Sequence, residues 1–152
     1  MQALPHRYRV SAQGADAGPV VLSSAGVDAL QTHAPPEFDG PPGHWSPESL
    51  LVAAVADCYV LSFRAVARAS RLAWQNLDVE VEGLLERVDG VTRFTRFRVV
   101  PRLRLAPGAS ETLACGVLKK AKANCLVTSS LRAECELDPQ IEQAPEQEPC
   151  EP

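Results

Sequence analysis

The feature that most limits how this chain can fold is the run from Pro47 to Phe63, which is apolar on nearly every side. A helix that is apolar around most of its circumference must be buried, so the rest of the chain has to be arranged to cover it. Ser46 followed by Pro47 marks its start, a hydroxyl N-cap and then proline at the first helical position. Glu48 in the first turn suits the positive end of the helix dipole. The predicted helix runs from Pro47 to about Leu72, and Arg64, Arg68 and Arg71 suit an exposed C-terminal end.

The flanking segments read as short strands and loops. Arg7 to Ala12 and Pro19 to Ser23 predict two strands around the turn-forming stretch Gln13-Gly14-Ala15-Asp16-Ala17-Gly18. Residues 32–47 hold five prolines and two glycines, which predicts a long irregular loop of the kind that is often functional. Beyond the helix, Leu77 to Leu84 alternates apolar and polar residues. Thr92 to Leu105 does the same, with Phe94, Phe97, Val99, Leu103 and Leu105 set among arginines. Asp89-Gly90 between them is a hairpin turn, and Pro101 predicts an edge position or a bulge. Ser110 caps a second helix whose apolar positions Leu113, Val117, Ala121 and Cys125 recur every four residues. Ser130 to Leu137 predicts a last strand. The order β-β-loop-α-β-β-α-β lacks regular β-α-β alternation, so the expected class is α+β, two helices with antiparallel strands.

At 152 residues the chain fits one domain, expected over 1–138, with an acidic tail over 139–152 that is too polar to order itself. The net charge is −4, and the stretch from Asp138 to Pro152 alone carries −5. The acidity therefore belongs to the tail, and nucleic acid is not the expected partner. No apolar run is expected to span a membrane, which takes about 18 residues, and the N-terminus lacks a signal-like stretch. A cytoplasmic location follows, with thiols kept reduced. The five cysteines are odd in number and form no close C-x-x-C pair, which disfavours a disulfide scaffold or a zinc ribbon. Neither a metal nor a cofactor is expected; His33 and His44, at the proline-rich loop, read as solvated side chains.

Chemistry therefore rests on thiols. Cys58 lies within the apolar helix and Cys125 at the end of the second. A buried cysteine is commonly inert packing. Two thiols on packed helices can instead carry redox chemistry: a thiolate attacks an O–O bond, and a second thiol captures the sulfenic acid before over-oxidation. Both readings stand on the residues alone.

Ser46-Pro47-Glu48-Ser49-Leu50, then small apolar residues, then Cys58 ten residues after Glu48, resembles the central-helix motif of the OsmC/Ohr family of thiol-dependent hydroperoxide reductases. Cys125, 67 residues further on and near the end of the later helix, fits the family's second cysteine, and the element order agrees over roughly 6–137. The resemblance implies an intertwined homodimer with a site at the subunit interface. In it, Cys58 would be the peroxidatic thiol, Cys125 the resolving thiol, a small organic hydroperoxide the substrate and a lipoyl-type dithiol the reductant. Ten residues of helix separate Glu48 from Cys58 by ~15 Å along the axis. If Glu48 acts at a thiol, it most simply acts at Cys58 of a partner chain; otherwise it only satisfies its own helix N-terminus.

Two positions depart from the family's peroxidases. They carry an arginine in the early turn, where 13–18 holds no basic residue, and many have Cys-Pro where this chain has Cys125-Leu126. Since Cys58 lies mid-helix, either another cation activates it, with Arg7, Arg9, Arg93, Arg96 and Arg98 as candidates, or it is a sluggish nucleophile. The arginine row also reads as a solvated face paired with Glu80, Glu82 and Glu86. Trp45 and Phe38 are candidates to wall an apolar pocket. Cys115 reads as packing, Cys135 falls in a strand and Cys150 in the tail. A member that keeps the fold but binds or senses a small electrophile or thiol is the alternative function, and a purely structural dimerisation module is a third.

Overall fold

The computed structural model of the chain describes residues 2–145. The chain divides into two compact units, Met1–Leu51 and Val52–Pro152.

In the first unit, β1 (Ser11–Gln13), β2 (Val20–Ser23) and β3 (Leu30–Thr32) form an antiparallel sheet in that order. The first strand is shorter than expected, and β3 emerges at the mouth of the proline-rich loop. That loop is not wholly irregular: Pro36–Phe38 form a 3-10 turn closed by Asp39 at φ 61, and Thr32 bridges to Trp45. Gly40 passes so close to Ala34 that a Cβ would fall 1.7 Å from its carbonyl oxygen, so no larger residue fits without moving the loop.

Helix α1 (Pro47–Ser70) starts as the sequence predicts. The Ser49 N–H donates to Ser46 Oγ at 3.1 Å, while the Ser46 N–H donates to Ser49 Oγ at 2.8 Å. This is a reciprocal capping box with serine at the third helical position. By length and composition α1 is apolar enough to cross a membrane, with a mean hydropathy of 1.8 over 18 residues, contrary to the expectation that no such run exists. Here its residues Val55, Tyr59, Phe63, Val66 and Ala67 are buried in the core of the second unit.

The second unit is built on a long hairpin, β4 (Trp74–Val88) and β5 (Val91–Leu105), turned at Asp89-Gly90 with φ 53 and 79. Two successive positive φ values are what a type I′ hairpin turn requires. Helices α2 (Glu111–Ala123) and α3 (Leu126–Ser129) follow, then β6 (Glu134–Leu137) and β7 (Gln140–Gln143). Both last strands pair with β5 in parallel, so the sheet is mixed, and among the described residues there are three α-helices where two were expected. The α+β class holds. Strand β7 extends the sheet past residue 138, where the tail was expected to begin; the backbone of 140–143 gains a β5 partner despite its polar side chains. The rest of that tail, 146–152, lies outside the described residues.

Pro101 is neither at an edge nor at one of the two register shifts of the hairpin. It sits where the partners of β5 change, since β6 pairs as far as Val99 and β7 begins at Arg102. Along β5, Phe97, Val99, Leu103 and Leu105 are buried and Arg96, Arg98, Arg102 and Arg104 are exposed, the period-two split of a sheet with one wet face.

Candidate functional site

Cys58 and Cys125 come together in the second unit. Cys58 lies mid-way along α1, a residue before the buried Tyr59, whose hydroxyl donates to the Leu118 carbonyl of α2 at 3.2 Å. That bond ties α1 to the helix that leads to Cys125. Cys125 is not the end of α2 as expected: α2 stops at Ala123, and Cys125 is the extended cap residue (φ −70, ψ 109) that opens α3. Its carbonyl accepts from the Ser129 hydroxyl at 2.8 Å, the Ser129 N–H at 3.1 Å and the Thr128 hydroxyl at 3.1 Å. Three donors on one oxygen fix the backbone that carries this fully buried thiol. Both cysteines are reduced, and their side chains lie within hydrogen-bonding reach of each other.

The two thiols are electrostatically unlike. Burial pushes the Cys58 thiol up, but the backbone N–H groups of Val127 and Leu126, with the side chains of Cys125 and Ser62, together carry it below the ordinary thiol value. Burial likewise raises Cys125; Thr128 opposes the rise, the neighbouring Cys58 adds to it, and the result lies above the ordinary value. Within the unit, peptide N–H groups at the start of α3 are among the groups that favour a thiolate at Cys58. Position 126 matters here because leucine has the N–H that proline lacks.

The arginine row does not supply an activating cation within the unit. Arg96 and Arg98 alternate with the buried Phe97 and Val99 and so project from the opposite face of β5. Their partners are Glu136 (3.6 Å) and Asp138, while Arg102 pairs with Glu80 (3.1 Å) and Arg104 with Glu142 (3.8 Å). The solvated-face reading is right in kind, but Glu136 comes from β6, Asp138 from between β6 and β7, Glu142 from β7 and only Glu80 from β4. Sequence reasoning missed these pairs because parallel partners far along the chain leave no local signal.

In the first unit, Glu48 borders an apolar cleft of about 830 Å³, with Val20, Leu22, Pro35, Phe38 and Leu51 among its walls. One carboxylate oxygen, Oε2, is buried without a hydrogen-bond partner among the described residues. Phe38 lines the cleft as expected; Trp45 is not part of the lining, and its carbonyl accepts from the His33 N–H at 2.9 Å. The His33 and His44 rings lie 4.3 Å apart. Among the described residues no group of three or more His, Cys, Asp or Glu is placed to hold a metal ion. Arg7 and Arg9 are exposed in this unit.

Residues 40–140 match the family described as OsmC-like protein. YmaD, an uncharacterised protein of Bacillus subtilis strain 168, is 30% identical over 106 residues, covering 68% of this chain and 71% of its own length. A protein of Escherichia coli strain K12 named peroxiredoxin OsmC is 29% identical over 104 residues, with the same two coverages, 68% and 71%. Among solved structures, an organic hydroperoxide resistance protein from Legionella pneumophila superposes with a TM-score of 0.70 at 22% identity, over 93% of this chain and 99% of that one.

Proposed function

The chain belongs to the OsmC-like protein family, and on that footing we propose that it is a thiol peroxidase that reduces organic hydroperoxides through a Cys58/Cys125 thiol–disulfide cycle. The observation that carries this reading is the asymmetry of two adjacent reduced thiols, one held low and the other held high. A peroxidatic cysteine has to be thiolate at working pH, and a resolving cysteine has to remain a thiol until there is a sulfenic acid to attack.

In the proposed cycle the Cys58 thiolate attacks one peroxide oxygen, the O–O bond breaks, and an alcohol leaves as Cys58 becomes a sulfenic acid. Cys125 then attacks that sulfur, water departs, and the Cys58–Cys125 disulfide forms. A dithiol of the lipoyl type reduces it through a mixed disulfide, returning both thiols. The relative named peroxiredoxin supports the reaction class, and the apolar cleft beside Glu48 supports an alkyl rather than an inorganic peroxide. We take the working form to be a cytoplasmic homodimer in which Glu48 of one copy orients an activating group at the Cys58 of the other. An unpartnered buried carboxylate oxygen is what a residue waiting for such a group would present.

The test is consumption of an alkyl hydroperoxide with a dithiol reductant by wild type, Cys58→Ser and Cys125→Ser. Rapid turnover by wild type is expected, lost in Cys58→Ser. In Cys125→Ser it should be replaced by a single turnover that leaves Cys58 over-oxidised. Wild type as slow as Cys58→Ser would end the peroxidase reading. The other reading, a family member that binds or senses a small electrophile or thiol, is favoured by the turn 13–18 lacking a basic residue. It predicts stoichiometric capture of the electrophile at Cys58 without turnover.

A further inference from the structure

The sheet of the first unit presents one face to the apolar cleft. Ala12 pairs with Leu22 across β1 and β2, and Val20 pairs with Thr32 across β2 and β3. Residues paired in this way share a face of the sheet, and all four line the cleft. Pro35 and Phe38 of the loop and Leu51 of α1 close its sides. The one hydroxyl on the floor is already engaged, since Thr32 Oγ1 donates to the Val20 carbonyl at 3.4 Å. A mostly apolar space of about 830 Å³ has the size of a small-molecule site, where a few placed polar groups decide what enters.

Glu48 is the polar group that this space has to answer to. Its Oε2 is buried without a hydrogen-bond partner, a costly state for a carboxylate oxygen in apolar surroundings. Among the described residues that line the cleft there is no Lys or Arg, and the other titratable one, His33, does not donate to Oε2. The turn 13–18 that joins β1 to β2 holds no base. Arg9 lies with Ser11 and Ser23 in a separate hollow. That pair is one residue out of step with Ala12 and Leu22, and so belongs to the opposite face of the sheet. The Glu48 side chain as a whole is half-buried and its terminal torsion is soft, so a donor that enters the cleft meets the carboxylate.

We propose that the cleft binds an apolar molecule that carries a protonated amine, and that Glu48 is the residue that selects it. The apolar body lies along Ala12, Leu22 and Val20, and the ammonium donates to the Glu48 carboxylate, supplying the partner that Oε2 lacks. Hydrogen bonds between ionised groups are stronger than neutral ones, and more so where water is scarce. A molecule of the same length that ends in a carboxylate meets like charge and is refused. The inference deepens the hydroperoxide reading and rests on it for the identity of the substrate. On that reading the organic hydroperoxide is an amine-bearing one and not an acid, and its ammonium is the group that Glu48 orients.

The experiment measures binding with no peroxide present, so that charge selection is read apart from turnover. Octylamine, octan-1-ol and octanoate are titrated by calorimetry into the full-length protein at neutral pH, below the concentrations at which they self-associate. Octylamine should bind about tenfold or more tightly than octan-1-ol, with octanoate the weakest. Glu48→Gln should bring the amine and the alcohol level. Ala12→Phe, which sets a strand-favoured ring on the cleft floor, should weaken both. Equal binding of amine and alcohol by wild type would overturn the assignment, as would a preference that survives Glu48→Gln, binding that ignores Ala12→Phe, or no binding of any of the three. Each of those results leaves the thiol cycle to be judged by hydroperoxide consumption. Preferential binding of the amine by a protein that consumes no hydroperoxide would end the peroxidase reading and leave the cleft assignment standing.

Discussion

At the scale of single residues, the chemistry turns on which groups face the Cys58 sulfur. Leu126 is the instructive one, because it contributes an N–H that proline could not. Leu126→Pro should be tolerated structurally: position 126 is the first of α3, where proline is favoured, and Cys125 before it is already extended. A single hydrogen bond is worth about 0.5–1.5 kcal/mol, or roughly two- to tenfold in thiolate fraction. The variant should therefore alkylate Cys58 more slowly by that factor at neutral pH, with the midpoint of its pH–rate curve displaced upward. In wild type the held-down thiol keeps its reactivity to lower pH than a free cysteine and loses it as pH falls through the folded value. An unchanged midpoint in Leu126→Pro would mean that the other donors alone set the reactivity. Cysteine spacing made the thiol pair legible in the sequence. The source of activation was not, because it comes from peptide groups 68 and 69 residues downstream rather than from a side chain that can be searched for.

At the scale of elements, the start of α1 and the β4–β5 turn were legible because both depend on local chemistry, a hydroxyl before a proline and two residues that accept positive φ. The parallel pairing of β6 and β7 was not, since pairing of strands distant in the chain depends on the whole core and not on the strands' own polar residues. Gly83 shows the same division. In the alternating pattern of β4 it is a weak strand residue. In the structure a Cβ there would come within 2.9 Å of both Phe94 Cε1 and Val52 Cγ2, so its absence is what lets α1 lie close on the hairpin. Gly83→Ala should cost about 1–3 kcal/mol by overpacking, in spite of alanine's better backbone propensity. The loss would appear as a lower urea midpoint with an unchanged slope. A neutral or stabilising result would show that Val52 and Phe94 can move aside and that α1 does not depend on this contact.

At the scale of the whole molecule, the proposed site divides between copies, and that division has a consequence that cannot be imitated within one chain. Take Glu48→Gln, which removes the orienting carboxylate, and Cys58→Ser, which removes the nucleophile. Each homodimer alone is expected to be inactive or nearly so. In a mixed dimer the Glu48→Gln chain still carries Cys58, the Cys58→Ser chain still carries Glu48, and one of the two sites combines them intact. Random exchange of equal amounts makes half the dimers mixed, so roughly a quarter of wild-type turnover per site should return. Recovery should grow with the time allowed for subunit exchange and vanish if the dimers are cross-linked before mixing. If Glu48 acts only on its own helix or its own chain's thiol, mixing restores nothing, since the chain with the intact glutamate has no nucleophile. Sedimentation of the unmixed proteins supplies the precondition, a species of twice the 16.4 kDa chain. A monomer at that step would remove the partner from the mechanism and leave the Glu48 carboxylate to the helix N-terminus it begins.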